Sequence, residues 1–316
     1  MTDILVIDGL NVFMRHFAAN PTTSGNGDHV GGVVGFLRAV KNLIDVLRPG
    51  QVIVAWEGGG SVRRRALDPD YKQGRRPVKL NRWYDDIPST VGNRNSQIST
   101  LIKFLSLGPI TQIYVSDCEA DDVIGYLAKY KFHDRKIVIA SSDKDYYQLL
   151  SDDVSIWSPG QKKFVTKDDV LKKFGVSSNN FCAARCFCGD SSDGISGAKG
   201  VGFRSIAKRI PKLAADESYS VSDIVSFAAK QLENSNLKIY NSIVAHESRA
   251  KLNWRLMYLG TNNLSGDQIQ RVEYQTTQEA EGLKKLDFIR LLQKNQINNF
   301  DVNSYFMSLN FIKSKN

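Results

Sequence analysis

The sequence has four short apolar runs, and each is followed at once by acids. Asp8 follows Ile4-Leu5-Val6-Ile7, and Glu57 follows Val52-Ile53-Val54-Ala55-Trp56. Asp117, Glu119, Asp121 and Asp122 come after Ile113-Tyr114-Val115, and Asp143 and Asp145 after Ile137-Val138-Ile139-Ala140. Asp190 and Asp193 stand further on, at the entrance of a glycine-rich stretch. Carboxylates gathered in one place repel, and each one taken out of water costs several kcal/mol unless it is neutralised. Divalent cations are the usual counter-charge. Oxygen-only ligands with no His or Cys nearby favour Mg²⁺ or Mn²⁺ over zinc. Two such ions ~4 Å apart would hold a phosphodiester, generate hydroxide from water and stabilise the leaving oxygen.

This chemistry needs the acids to meet, and the pattern between them supplies a frame. The four runs are uninterrupted by polar residues, as strands buried on both faces are. Between them, Val33, Leu37, Val40, Ile44 and Leu47 recur at helical spacing, as do Ile98, Leu101, Ile102 and Leu105. Strand, helix, strand, helix in that rhythm predicts an α/β fold with a mostly parallel central sheet and helices on both faces. In such a sheet the carboxyl ends of the strands share one edge, where ligands bind. At least seven of the acids would then line one rim. A β-hairpin is expected over residues 154–157 and 163–165 around Pro159-Gly160. Beyond about residue 166 the strand signals stop, and 167–174, 177–187, 203–210, 221–232 and 237–259 read as helices, with 267–316 more ambiguous but also read as helical. This divides the chain into an α/β core over 1–166 and a helical region over 167–316.

Each acid also has a plainer explanation. Glu119, Asp121 and Asp122 suit a helix start through its dipole, Ser142 to Asp145 resembles a capping box, and Asp8-Gly9 suits a turn. Recurrence at four consecutive strand ends favours the shared site.

The chain of 316 residues carries 42 Lys and Arg against 33 Asp and Glu, a formal charge of +9, which points to a polyanionic partner. Much of that charge lies in residues 61–82, with Arg63, Arg64, Arg65, Lys72, Arg75, Arg76, Lys79 and Arg82 set against Asp68 and Asp70, and with Tyr71, Trp83 and Tyr84 interleaved or adjacent. Cations for phosphates beside aromatic faces for bases suit single-stranded nucleic acid, although a charge run alone is more often a solvated loop. Gly200-Val201-Gly202, ahead of a helix carrying Arg204, Lys208 and Arg209, would let backbone approach a phosphate closely. Four cysteines are too sparse for a disulfide scaffold, and Cys182, Cys186 and Cys188 have no His near them in sequence to make a zinc site, so free thiols in a reducing cytoplasm are expected. No apolar run approaches the ~20 residues that cross a bilayer, and the start MTDILVIDGL lacks the charge of a signal peptide.

Taken together, these residues resemble the structure-specific 5′ nuclease (flap endonuclease, 5′-3′ exonuclease) family, with phage-type standalone members such as the ribonuclease H of T-even phages as the nearest likeness. The matching stretches are Asp8-Gly-x-Asn11-x-x-x-Arg15-x-Phe17, Tyr71-Lys72-x-x-Arg75, Glu119-Ala-Asp121-Asp122, Ser142-Asp143-x-Asp145 and Gly189-Asp190-x-x-Asp193-Gly-Ile195-x-Gly197-x-x-Gly200-Val-Gly202, in the family's order. The resemblance implies a PIN-like 5′-nuclease fold and a helix–hairpin–helix element at about 186–210. It implies a first metal held by Asp8, Glu119, Asp121 and Glu57, with Asp122 beside them, and a second held or oriented by Asp143, Asp145, Asp190 and Asp193. Two Mg²⁺ or Mn²⁺ are expected, with K⁺ at the hairpin. Lys72 and Arg75 would contact the scissile phosphate at the base of an arch over about 61–97. Arg15, Tyr71, Arg76, Gly197, Lys199, Gly200, Gly202, Arg204 and Lys208 would bind DNA.

The implied substrates are branched, nicked or gapped DNA and RNA primers in RNA–DNA hybrids, cut by a monomeric cytoplasmic enzyme, in the host cytoplasm if phage-encoded. A sliding clamp or single-strand-binding protein is the implied partner. Where the family has Asp, this chain has Glu57, whose extra methylene alters reach and keeps the charge. Two other readings stand against this one, a non-catalytic structure-specific DNA-binding protein with a decayed metal site and a PIN-like RNase.

Overall fold

The computed structural model describes residues 2–73, 91–278 and 282–312. Its centre is a six-stranded sheet of β1 (Ile4–Asp8), β2 (Gln51–Trp56), β3 (Ile110–Tyr114), β4 (Ile137–Ala140), β5 (Val154–Ser158) and β6 (Lys163–Val165). The strand order is β3-β2-β1-β4-β5-β6, parallel except for the antiparallel β5–β6 pair. The expected hairpin is therefore present, and its first strand extends the parallel sheet. Asp8 pairs with Ala55 and Ile7 with Ala140, so the acids that follow β1, β2 and β4 leave the sheet at one edge. The strand order reverses between β1 and β4, which makes a crevice beyond their carboxyl ends.

The helices are α1 (Gly9–Ala19), α2 (Gly31–Leu47), α3 (Val62–Leu67), α4 (Val91–Leu105), α5 (Ala120–Tyr126), α6 (Lys167–Phe174), α7 (Ser178–Cys188), α8 (Phe203–Arg209), α9 (Val221–Leu232), α10 (Lys238–Ala245), α11 (Glu247–Met257), α12 (Gly266–Thr277), α13 (Lys285–Lys294) and α14 (Val302–Leu309). The helical stretch expected over 237–259 is two helices that meet at His246, whose φ and ψ of −94° and 4° are non-helical.

Alternation along the strands builds two cores. Leu5 and Ile7 face Phe13, Phe36, Leu37 and Phe104, whereas Ile4 and Val6 face Val123, Ile124, Tyr146 and Phe181. The ambiguous C-terminal stretch returns to this sheet. Phe288 of α13 is fully buried in the first core, 4.8 Å from the Phe104 ring and 5.2 Å from that of Tyr305, and such pairs add ~0.5–1.5 kcal/mol each beyond buried area. On the edge strand β3, the Gln275 side chain from α12 donates to Tyr114 O at 3.0 Å and accepts from Tyr114 N at 2.8 Å, covering backbone that would otherwise recruit another strand. A third core, with Phe187, Ile206, Ile224, Tyr240 and Leu256, is built from α7 to α11 and includes Tyr71. Among the described residues no helix is long and apolar enough to cross a membrane.

Candidate metal centre

Each acid reaches the crevice because a specific element begins or ends there. Asp8 is the N-cap of α1, with Oδ1 accepting from Asn11 N at 3.1 Å. Its Oδ2 accepts from Ser141 Oγ at 3.0 Å and from Tyr146 OH at 3.1 Å. The same tyrosine hydroxyl lies 2.5 Å from Asp121 Oδ1, so one phenol bridges the ends of β1 and α5. Asp143 Oδ1 accepts from Asp145 N at 2.9 Å and holds the turn after β4. Gly58 brings the loop after β2 against the end of β3, since a Cβ there would lie 1.8 Å from Val115 O. That approach seats Glu57 Oε2 3.4 Å from Ala120 N, at the start of α5.

Two carboxylate triads result. Oxygens of Asp121, Asp143 and Asp145 lie within 4.8 Å of one another, and so do oxygens of Asp145, Asp190 and Asp193. Asp145 belongs to both. The cleft between α7, the 189–193 loop and the turn after β4 has a volume of about 570 Å³. Burial, reinforced by Asp143, pushes the Asp8 carboxyl up to about 6. Burial also pushes Asp145 up to about 7, against the pull of Arg185, and raises Asp121 well above the usual carboxylate range, with Asp143 adding to it. Glu57 is raised by burial and by Glu119. Arg185 beside Asp145 and the more distant Lys72 only partly offset these groups, and Asp145 Oδ1 is buried with no hydrogen-bond partner. Crowded, desolvated oxygens without enough cations are the donor set that hard divalent ions fit.

Glu119 and Asp122 have a different environment. Arg64, 2% exposed, donates from Nη1 to Glu119 Oε2 at 3.0 Å, from Nη1 and Nη2 to Asp122 at 2.5 and 2.7 Å, and from Nε to Leu256 O at 2.6 Å. Asn263 adds a bond to Asp122 Oδ1 at 3.0 Å. Glu119 also accepts from Tyr71 OH at 3.1 Å and from Lys72 Nζ at 2.8 Å. Burial would raise Glu119, but Lys72 and Arg64 hold it below its ordinary value. Lys72 has a φ of +61°, a strained backbone for a side chain, and its N donates to Asp193 O at 3.0 Å. One residue thus ties the start of the basic segment to both acidic groups.

Of the expected site residues, the structure brings Asp121, Asp143, Asp145, Asp190 and Asp193 into the triads, joins Asp8 to them through Tyr146, and places Glu57, Glu119 and Asp122 alongside. The basic segment is not the uniform run it looks in sequence. Arg63 and Arg65 are exposed, whereas Arg64 is interior. Arg75 and Arg76 lie outside the described residues, together with most of the expected arch. Arg15 is exposed on α1, near Gly160 of the β5–β6 hairpin. Lys199, Gly200, Gly202, Arg204 and Lys208 are exposed around the loop joining α7 to α8, and Gly200 has a φ of +74° that a side chain would strain. Gly197 is packed against Cys188, where a Cβ would lie 2.4 Å from the backbone. The cysteines are free, and among the described residues none joins acids in a group that could hold a metal ion. Sequence reasoning missed Tyr146, Arg64 as an interior cation, and Arg185. Only Arg185 gave a sign, as a lone charge in the otherwise apolar run Phe181–Phe187.

The family described as 5′-3′ exonuclease, N-terminal resolvase-like domain, matches residues 3–175. This chain belongs to that family. Its relatives include a 5′-3′ exonuclease of Aquifex aeolicus (strain VF5), 30% identical over 69% of this chain and 72% of its own length. A flap endonuclease Xni of Shewanella halifaxensis (strain HAW-EB4) is 29% identical over 83% of this chain and 94% of its own length. The fold matches the T5 D15 protein co-crystallised with metal ions, with a TM-score of 0.66 at 20% identity, over 92% of this chain and 99% of that one. It also matches the catalytic core of Rad2 in complex with DNA, with a TM-score of 0.52 at 14% identity, over 98% and 91%. The chain is a 5′ nuclease of the flap endonuclease and 5′-3′ exonuclease group, close to phage-type members in fold.

Proposed function

We propose that this 5′ nuclease uses two divalent ions, Mg²⁺ or Mn²⁺, one at Asp121–Asp143–Asp145 and one at Asp145–Asp190–Asp193, to hydrolyse phosphodiesters near the 5′ ends of branched, nicked or gapped DNA. The observation that carries this reading is the pair of triads sharing Asp145 at the sheet's reversal point. When bound, such ions supply an activated water and charge for the leaving oxygen. Asp8, with Tyr146 and Ser141, fixes the first triad's inner wall, and Glu57 caps α5, which carries Asp121. In this reading Asp122 serves to anchor Arg64, which in turn positions Glu119.

Lys72 stands between Glu119 and Asp193, with its ammonium 2.8 and 3.9 Å from their carboxylates, and burial is overcome by Glu119 so that it stays charged. It would leave Glu119 for a phosphate oxygen and stabilise charge developing in the transition state, with Arg75 beside it. Arg15 and Arg76 would guide the strand, whereas Tyr71, expected to bind DNA, is buried in the third core with its hydroxyl on Glu119 and would position that acid. Gly197, Lys199, Gly200, Gly202, Arg204 and Lys208 would grip duplex phosphates in a helix–hairpin–helix over about 186–210, with K⁺ there. Such contacts read shape rather than sequence. Within this reading residues 1–166 are the nuclease core and 167–316 the helical DNA-binding region. RNA primers in hybrids are substrates too, the enzyme acts as a cytoplasmic monomer, and a clamp or single-strand-binding protein is its partner.

The test is a 5′-labelled DNA flap incubated with the protein in Mg²⁺ or in EDTA. Short labelled products in Mg²⁺ alone are expected. An intact flap in both, or cleavage of RNA flaps only, would contradict the reading.

A further inference from the structure

The two triads share a carboxylate but differ in what neutralises them. Nothing cationic is bonded to Asp121 or Asp143 among the described contacts; Asp121 has the Tyr146 hydroxyl against it, and Lys72 and Arg185 act on these two acids only from a distance. The second triad instead contains a guanidinium. Arg185, on the last turn of α7 and 8% exposed, makes an ion pair with Asp190 through Nη2 and places Nε 3.1 Å from Asp145 Oδ1. Nε and Asp145 Oδ1 are both buried, and neither has a hydrogen-bond partner, so the charges abut without the alignment a bond requires. The other Asp190 oxygen is taken by Ser192, whose N and Oγ donate at 3.0 and 2.7 Å. Arg185 thus covers the Asp190 oxygen that Ser192 leaves free.

We propose that Arg185 is a resident counter-ion of the second triad, a cation that a divalent ion must displace from Asp190 before this triad takes up metal. This rests on the reading of the triads as metal sites and adds an asymmetry to it. Both triads share Asp145 and so feel Arg185, but only the second has a further carboxylate, Asp190, ion-paired to it, so its ion must enter against a fixed positive charge a few ångströms away. Two like charges at such spacing repel even at the higher effective dielectric of a protein. Arg185 cannot release its charge by losing a proton, so the penalty persists at every working pH. Filling of the second triad is then the step most sensitive to metal concentration, and Arg185 is a positioning residue that sets it.

The test is Mn²⁺ binding to the full chain, with free Mn²⁺ followed by electron paramagnetic resonance, for the unaltered protein and for Arg185→Met and Arg185→Gln. Circular dichroism identifies whichever variant is folded, and Gln keeps a polar group where Met would not be tolerated. The unaltered protein should bind one ion tightly and a second more weakly. In the variants the weaker site should tighten by ~10-fold or more, with the tighter one little changed. An unchanged or weakened second site in a protein that still binds two ions would overturn the role of Arg185 and leave the triads standing. No Mn²⁺ bound by any of the three proteins would overturn the metal reading itself.

Discussion

A side chain's worth here depends on what it would leave behind. Arg64 is the plainest case. It neutralises Glu119 and Asp122 where water cannot, and all its described bonds are to interior acceptors. Removing one partner of a buried ion pair typically costs 3–5 kcal/mol, because the other charge is left unpaired. Arg64→Met should therefore lower the urea unfolding free energy by about 3–5 kcal/mol, and a loss near zero would mean that the guanidinium is not needed to hold these acids. Lys72 should behave differently, since it is half out of the network and 19% exposed. Lys72→Ala is expected to lower kcat on a flap by ~10²–10³-fold with little change in DNA affinity. Equal losses in both would show a binding role and no preference for the transition state.

At the scale of elements, helices are held in place by side chains from distant parts of the chain. α2 begins at Val30, which provides no capping side chain. Gln97 from α4 does it instead, with Oε1 accepting from Gly32 N at 2.9 Å and Val33 N at 3.3 Å, while Nε2 donates to His29 O at 2.7 Å. Gln97→Ala leaves buried donors unmade and should cost about 1–3 kcal/mol, read as a lower thermal midpoint. An unchanged midpoint would mean that the cap is dispensable. This contact explains part of what the sequence could and could not convey. The strands were legible because burial on both faces demands unbroken apolar runs, and the acids were legible because they follow those runs. A cap supplied from 65 residues away in the chain leaves no local pattern. Arg64 sits between two exposed arginines and reads like them, and Tyr146 looks like an ordinary core aromatic until its hydroxyl is seen between two carboxylates. The grouping of Asp143 with Asp121, and the double membership of Asp145, depend on the turn after β4 and not on spacing.

For the whole molecule, the concentration of charge at one edge couples stability to pH and metal. Asp8 and Asp145 titrate near 6 and 7 in the folded state, above the ordinary Asp value of 3.8. Between those values the native state binds more protons than the unfolded one, so stability of the metal-free protein falls as pH rises from about 4 to 7. Glu119 and Asp190 are shifted downward and act below that window. Metal competes with those same protons. Added Mg²⁺ should therefore raise the thermal midpoint more at pH 8 than at pH 5, and an equal or reversed effect would place the metal elsewhere. The last segment, α12 to α14, was the least legible part of the chain because amphipathic helices of this kind do not announce which surface they cover. It completes the sheet's edge and its first core, through Gln275 and Phe288.

Acids far apart in the chain converge on two triads, each placed to bind a cation. A crystal soaked in MnCl₂ and measured for anomalous scattering tests it directly. Two peaks are predicted, one touching Asp121, Asp143 and Asp145 and the other Asp145, Asp190 and Asp193, and a fully soaked crystal with no peak at either triad would contradict the account.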